Sequence, residues 1–229
     1  MATQVDICNL ALSRIGDEAT VASINPPEGS AQASHCARFY PMALNAMLDY
    51  HNWSMSVTRL VLDQLLITPV SGWLYAFGVP SNCVSLIALY TIGALDDSSP
   101  REFDFESLLD GNSNPYPVIY TNEPSPVLKY SMVVDDSSKF SPLFTDALAW
   151  LLSSYLAGPV IKGASGIEAA KYCAGMFKIV VSQAVADDAN QRRVRPTHRV
   201  PWMRGRTGQD VGLSGDNPWA AYPASNPVA

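Results

Sequence analysis

A chain of 229 residues can bury a sizeable core, as one large domain or two small ones. Only 16% of its residues are charged against 48% apolar, sparse for a free-standing monomer, so other subunits are expected to cover part of its surface. No run approaches the ~20 apolar residues that span a bilayer and no basic-then-apolar leader opens the chain, which points away from membrane and secreted classes and toward a cytoplasm.

Taken in order, Thr3 caps a first helix, Asp6 reaches back toward that cap, and Val5, Cys8, Leu12 and Ile15 form the apolar stripe. Gly16 supplies a left-handed stop. Residues 17–29 are a loop, since Asn25-Pro26-Pro27 bars helix. A second helix starts near Ser30 and runs to about Asn52. Cys36, Tyr40, Ala43, Leu44, Met47 and Tyr50 recur on its buried face, while Arg38, Asn45, Asp49 and Asn52 face water. Pro41 predicts a kink there, or a restart with Pro41 in the first turn. The period then shifts to two over Val57–Leu62, and Trp53 is placed to plug the joint.

Alternation continues to Val134. Val84, Leu86, Ala88, Tyr90 and Ile92 share one strand face, with Cys83, Ile87 and Leu89 on the other. Phe103 and Phe105 alternate with Glu102, Asp104 and Glu106, as in a half-exposed strand. Turn clusters at 110–115 and 122–126 separate this strand from Val118–Tyr120, and that strand from Leu128–Val134. Consecutive strands joined by short turns predict an antiparallel meander.

Ser141-Pro142 opens a third helix, with Phe144, Ala147, Leu148, Leu151, Leu152, Tyr155 and Leu156 on its apolar face and Gly158-Pro159 ending it. Ser165 and Glu168 form the capping box of a fourth, whose stripe is Ile167, Ala170, Ala174, Phe177, Val181, Ala184 and Val185. The short gap makes the two helices antiparallel neighbours. The expected fold class is α+β: residues 1–52 and 141–189 a helical bundle, 53–140 an inserted antiparallel β-sheet region, and 190–229 an extended basic, Pro- and Gly-rich C-terminal arm.

The net charge of −6 is distributed unevenly. Residues 1–189 carry 9 Lys+Arg and 19 Asp+Glu, or −10. Residues 190–206 carry six Arg (Arg192, Arg193, Arg195, Arg199, Arg204 and Arg206) and no acid. A basic segment on an acidic body implies a partner. Those six Arg with Trp202 are the candidate contact residues. They suit nucleic acid, through phosphates and stacking, or acidic grooves on a protein partner, through bidentate pairs.

Little in the chain supports catalysis. His35, His51 and His198 lack ligand spacing, and Cys8, Cys36, Cys83 and Cys173 read as reduced core thiols, so no metal and no cofactor is expected. Asp96-Asp97, Asp135-Asp136 and Asp187-Asp188 read as solvated neighbours at element ends. Gly158–Ser165 has Gly and Lys before a helix without the order of a phosphate loop, and reads as a helix connection. The chain is not expected to be an enzyme.

Five runs carry a resemblance: Asn9–Gly16 (NLALSRIG), Cys36–Leu48 (CARFYPMALNAML), His51–Leu60 (HNWSMSVTRL), Gly72–Pro80 (GWLYAFGVP) and Phe140–Ala157 (FSPLFTDALAWLLSSYLA). In this order, over residues 3–189, the chain resembles the phage head-to-tail adaptors of the tail tubular protein A group. It departs from them at His51-Asn52, where His-Pro is frequent, and in its C-terminal segment. The resemblance implies a virion structural protein at the neck, assembled in the host cytoplasm. It implies a ring, usually of twelve identical subunits, under the portal protein, which extends the DNA channel and receives the tail or nozzle protein. An acidic body around a channel would let duplex DNA slide without sequence-specific binding. The basic segment is expected to order on portal or on a neighbouring subunit. The alternatives are a neck or head-completion protein of a long-tailed phage, and a nucleic-acid-binding packaging accessory.

Overall fold

A computed structural model describes residues 2–67, 69, 72–93, 99–109 and 114–191. Helix α1 (Gln4–Arg14) begins at a reciprocal cap: Asp6 N–H donates to Thr3 Oγ1 at 3.1 Å, and Thr3 N–H to Asp6 Oδ2 at 2.8 Å. Gly16, at φ +79°, turns the chain out of it. Helix α2 (Ala31–Tyr50) is capped by Ser30, whose Oγ accepts from Ala33 N–H at 3.1 Å. It runs unbroken through Pro41 and buries Ala33, Cys36, Tyr40, Ala43, Leu44, Met47 and Leu48. Tyr50, expected on that face, is 58% exposed. Helix α2 stops there because His51 is extended, and the Tyr50 ring instead meets Phe177 edge-on at 6.1 Å.

Helix α3 (Pro142–Ile161) starts as expected, with Ser141 Oγ accepting from Phe144 N–H. It does not end at Gly158-Pro159. It passes through Pro159, and Lys162, at φ +62°, alone links it to α4 (Gly163–Gln191). The eight-residue connection is therefore absent, and Ser165 and Glu168 lie inside α4 rather than capping it. The two helices still pack antiparallel: Ala157 meets Gly166 near the link, and Trp150, further back, meets Tyr172, further on. By length and composition α3 is apolar enough to cross a membrane, unlike the sequence expectation; half of that stretch is buried here, including Phe144, Leu148, Leu152 and Leu156.

The expected single meander is replaced by two three-stranded antiparallel sheets, so the fold is mixed α+β. Strands β1 (Val57–Val61), β3 (Cys83–Thr91) and β6 (Pro126–Met132) form one, in the order β1-β6-β3. Strands β2 (Tyr75–Gly78), β4 (Phe103–Leu109) and β5 (Pro115–Thr121) form the other, in the order β2-β5-β4. Among the described residues only β4 and β5 pair as consecutive strands. The reason lies in burial. Leu89, Leu128 and Tyr130 of the first sheet share a core with Phe77 and Ile119 of the second. One flat sheet would leave one of these apolar faces wet, whereas two sheets cover each other. Strand β3 also breaks strict alternation, with register shifts between Cys83 and Ser85 and between Leu86 and Ala88, so Cys83, Leu86 and Leu89 reach the same cluster. The larger core lies among the four helices, with Val21, Ile24 and Trp53.

Candidate interaction surfaces

The joint between helices and sheets is held by several buried contacts. Trp53 is 2% exposed and donates its indole N–H to the Met47 carbonyl at 2.6 Å. Its ring stands edge-on to Phe144, at 4.9 Å, and to His51, at 5.1 Å. The sequence placed Trp53 correctly. It misplaced Asp188, which is buried rather than solvated: Ser54 N–H donates to its Oδ1 at 2.8 Å, and His51 Nε2 lies 3.2 Å from its Oδ2. Neighbours on a helix point about 100° apart, so Asp187 faces out while Asp188 faces in. Ser56 completes the joint. Its buried Oγ contacts Ser131 Oγ at 2.8 Å and its carbonyl accepts from Met132 N–H at 2.9 Å, tying the joint to β6.

The buried thiols of Cys8 on α1 and Cys36 on α2 interact with each other, which raises the Cys8 pKa and lowers that of Cys36 relative to an ordinary thiol. The Tyr40 hydroxyl finds no hydrogen-bond partner among the described residues, and burial holds its proton on. Cys173 is also buried and Cys83 half-buried; all four are free thiols.

Three large apolar side chains of α4 are exposed, set among polar and charged ones. Ile167, assigned by its spacing to the buried stripe, is 58% exposed, and Tyr172 and Ile179 are 63% and 54% exposed. An open groove of about 390 Å³ runs along α3 and α4 between Ser154, Tyr155, Gly158, Gly166, Ile167 and Ala170. Its floor is narrow because Gly166 lets the helices approach: a Cβ there would stand 3.0 Å from the Ala157 carbonyl oxygen. Beside it, the Arg14 guanidinium lies 4.1 Å from the Trp150 ring centroid and pairs with Asp146, bracing α1 on α3.

The second surface is β4. Glu102, Asp104 and Glu106 are exposed at every second position, as the alternation predicts, and Phe105 between them is 52% exposed. The approach to this strand is fixed by hydrogen bonds. Arg101 N–H donates to the Leu89 carbonyl at 2.7 Å, Arg101 Nε to Thr91 Oγ1 at 2.9 Å, and Thr121 Oγ1 to the Glu102 carbonyl at 2.9 Å. Glu123 lies 3.5 Å from Arg101 Nε and accepts from Thr91 at 3.0 Å.

Arg192, Arg193, Arg195, Arg199, Trp202, Arg204 and Arg206 lie outside the described residues, as do His198 and the Asp96-Asp97 pair. Asp135 and Asp136 are exposed, and Asp136 caps a short turn by accepting from Ser138 N–H at 3.0 Å. His35 stacks on Phe39. Among the described residues no three His, Cys, Asp or Glu side chains converge as metal ligands would. No protein-family model matches this chain, and comparison with curated proteins finds no similar sequence.

Proposed function

We propose that this chain is a structural head-to-tail adaptor of a tailed phage, akin to the tail tubular protein A group. What supports the reading is where the five resembling runs lie. Asn9–Gly16 supplies the end of α1, Cys36–Leu48 most of α2, His51–Leu60 the joint and β1, Gly72–Pro80 includes β2, and Phe140–Ala157 makes most of α3. Residues from all but the Gly72–Pro80 run meet in the helical core, through Leu12, Met47, Trp53, Phe144 and Leu148.

In this reading residues 1–52 and 141–189 are the helical bundle, packed side by side around a ring of about twelve subunits under the portal. The low charge content and the exposed Tyr172, Ile167 and Ile179 suit such packing. Residues 53–140 form the inserted sheet region that receives the tail. Residues 190–229 form the arm, whose Arg192–Arg206 stretch contacts portal or a neighbouring subunit. The protein acts by assembly and channel electrostatics in the virion neck, and not as an enzyme.

Native mass measurement of the full chain, alone and with the purified portal ring of the phage that encodes it, tests this. A stoichiometric ring of chains on the portal is expected. Failure to bind an intact portal would overturn the adaptor reading and bring the packaging-accessory and neck-completion readings forward.

A further inference from the structure

Among the described residues β4 is an edge: its one hydrogen-bonded neighbour is β5, paired along all seven residues from Phe103 to Leu109. Among the described residues no strand ladder lies along its other side, where an extended chain can add as a further strand; within β4 the Phe105 N–H donates to Asp104 Oδ1 at 2.9 Å, leaving the other carboxylate oxygen of Asp104 for an incoming cation. The Arg101 and Thr121 bonds hold the start of this edge in place, so it is presented rigidly. No Lys or Arg among the described residues forms an ion pair with Glu102, Asp104 or Glu106.

The single sign of those positions selects the occupant. Two β4 edges from different copies would set carboxylates against carboxylates, which disfavours pairing. A basic strand meets the opposite situation. This chain has one strongly basic stretch, residues 192–206, with six Arg and no acid. Within it Arg193 and Arg195 flank Val194 at the two-residue spacing that separates Asp104 from Glu106. Strand side chains repeat with period two, so both Arg of such a strand share one face, and the register that sets it on the face of Asp104 and Glu106 is the one that pairs opposite charges. The helix that leads into this stretch is pinned elsewhere: Asp188 binds its last turns to Ser54 and His51 at the joint.

We propose that the β4 edge takes the Arg-rich segment 192–206 of a second copy of this chain as an added strand. Such a contact joins two different surfaces of the subunit, so it propagates from copy to copy and closes into a ring when the rotation permits. The inference rests on the ring reading only in requiring copies to meet side by side, and it assigns the Arg segment to a neighbouring subunit rather than to portal.

The test uses the full chain with Val194→p-benzoylphenylalanine as photo-cross-linker, in an equal mixture of isotopically light and heavy protein. Cross-links joining light to heavy chains at residues 102–109 or 115–121 are expected. They should fall about tenfold in Asp104→Asn/Glu106→Gln and in high salt, since exposed charge pairs are screened. Arg193→Glu/Arg195→Glu should abolish them, and mixing that variant with an Asp104→Arg/Glu106→Arg chain should restore them, which a misfolded variant cannot do. Cross-links confined to one chain, or mapping to other elements, would overturn the proposal. Rings that still form on portal with residue 194 cross-linked elsewhere would sink this inference and leave the adaptor reading standing. Loss of portal binding with the β4 cross-links intact would do the reverse.

Discussion

Truncating Trp53 probes whether the joint holds the helices to the first sheet. The side chain is 2% exposed, so Trp53→Ala withdraws roughly 150–200 Å² of buried apolar surface, or about 4–5 kcal/mol at about 25 cal/mol per Å². Losing the edge-on contacts with Phe144 and His51 and the donor to the Met47 carbonyl adds about 1–2 kcal/mol, and partial collapse of the site offsets a similar amount. The expected cost is therefore about 4–5 kcal/mol, a large share of the roughly 5–15 kcal/mol that a folded domain has. Trp53→Phe keeps a ring against Phe144 and loses mainly the indole donor, so it should cost about 1–3 kcal/mol. Urea unfolding of the full chain, followed by far-ultraviolet circular dichroism at matched m-values, measures both. A cost below about 1 kcal/mol for Trp53→Ala, typical of surface changes, would refute the reasoning. So would equal costs for Ala and Phe, which would leave the ring contacts without any contribution.

Four further substitutions test neighbouring claims. Asp188→Ala removes the acceptor of Ser54 N–H and the partner of His51, and should cost about 1–3 kcal/mol, with faster amide exchange at Ser54 and in the last turns of α4; unchanged exchange there would contradict the pinned helix end. Gly166→Ala and Gly175→Ala should differ in sign. The first sets a Cβ 3.0 Å from the Ala157 carbonyl oxygen and should cost about 1–3 kcal/mol, while the second has nothing within 4 Å and should gain up to about 1 kcal/mol in thermal or urea unfolding. At the first cap, the backbone and side-chain hydrogen bonds of Thr3 hold the Asp6 carboxyl below its ordinary range. That contribution is present above the ordinary carboxylate pKa and is lost as pH falls through the depressed one. Thr3→Ala removes the side-chain contact and keeps the backbone N–H donor, so it should destabilise at pH 6 and do so less at low pH, and an NMR titration should find Asp6 moved only part of the way back toward its ordinary range.

What could be read from the sequence follows the range of the forces involved. Thr3, Ser30 and Ser141 mark helix starts because a cap is satisfied within three residues, and each caps as its residue type predicts. Helix ends were harder. Gly158-Pro159 carries the local signature of a stop, yet α3 continues through it because Val160 still packs on the helical core. The splitting of the strands into two sheets has no local signal at all. It depends on which apolar faces meet, and Phe77, Leu89, Ile119 and Leu128 are brought together from strands far apart in the chain.

The two candidate surfaces divide along the same line. Alternating acids on β4 announce an exposed strand, since a period of two assigns Glu102, Asp104 and Glu106 to one face wherever the strand sits. That β4 is also an edge among the described residues depends on β5 choosing β2 and β4 as neighbours, with β6 left to β1 and β3. Ile167 errs in the opposite direction. Spacing put it on the buried stripe, but the one-residue link at Lys162 starts α4 earlier and brings Gly166 against Ala157, so Gly166 faces α3 and Ile167 faces out. An apolar side chain displaced in this way is left on the surface. A chain with few charges can therefore present more sticky surface in its fold than its helical periodicity suggests.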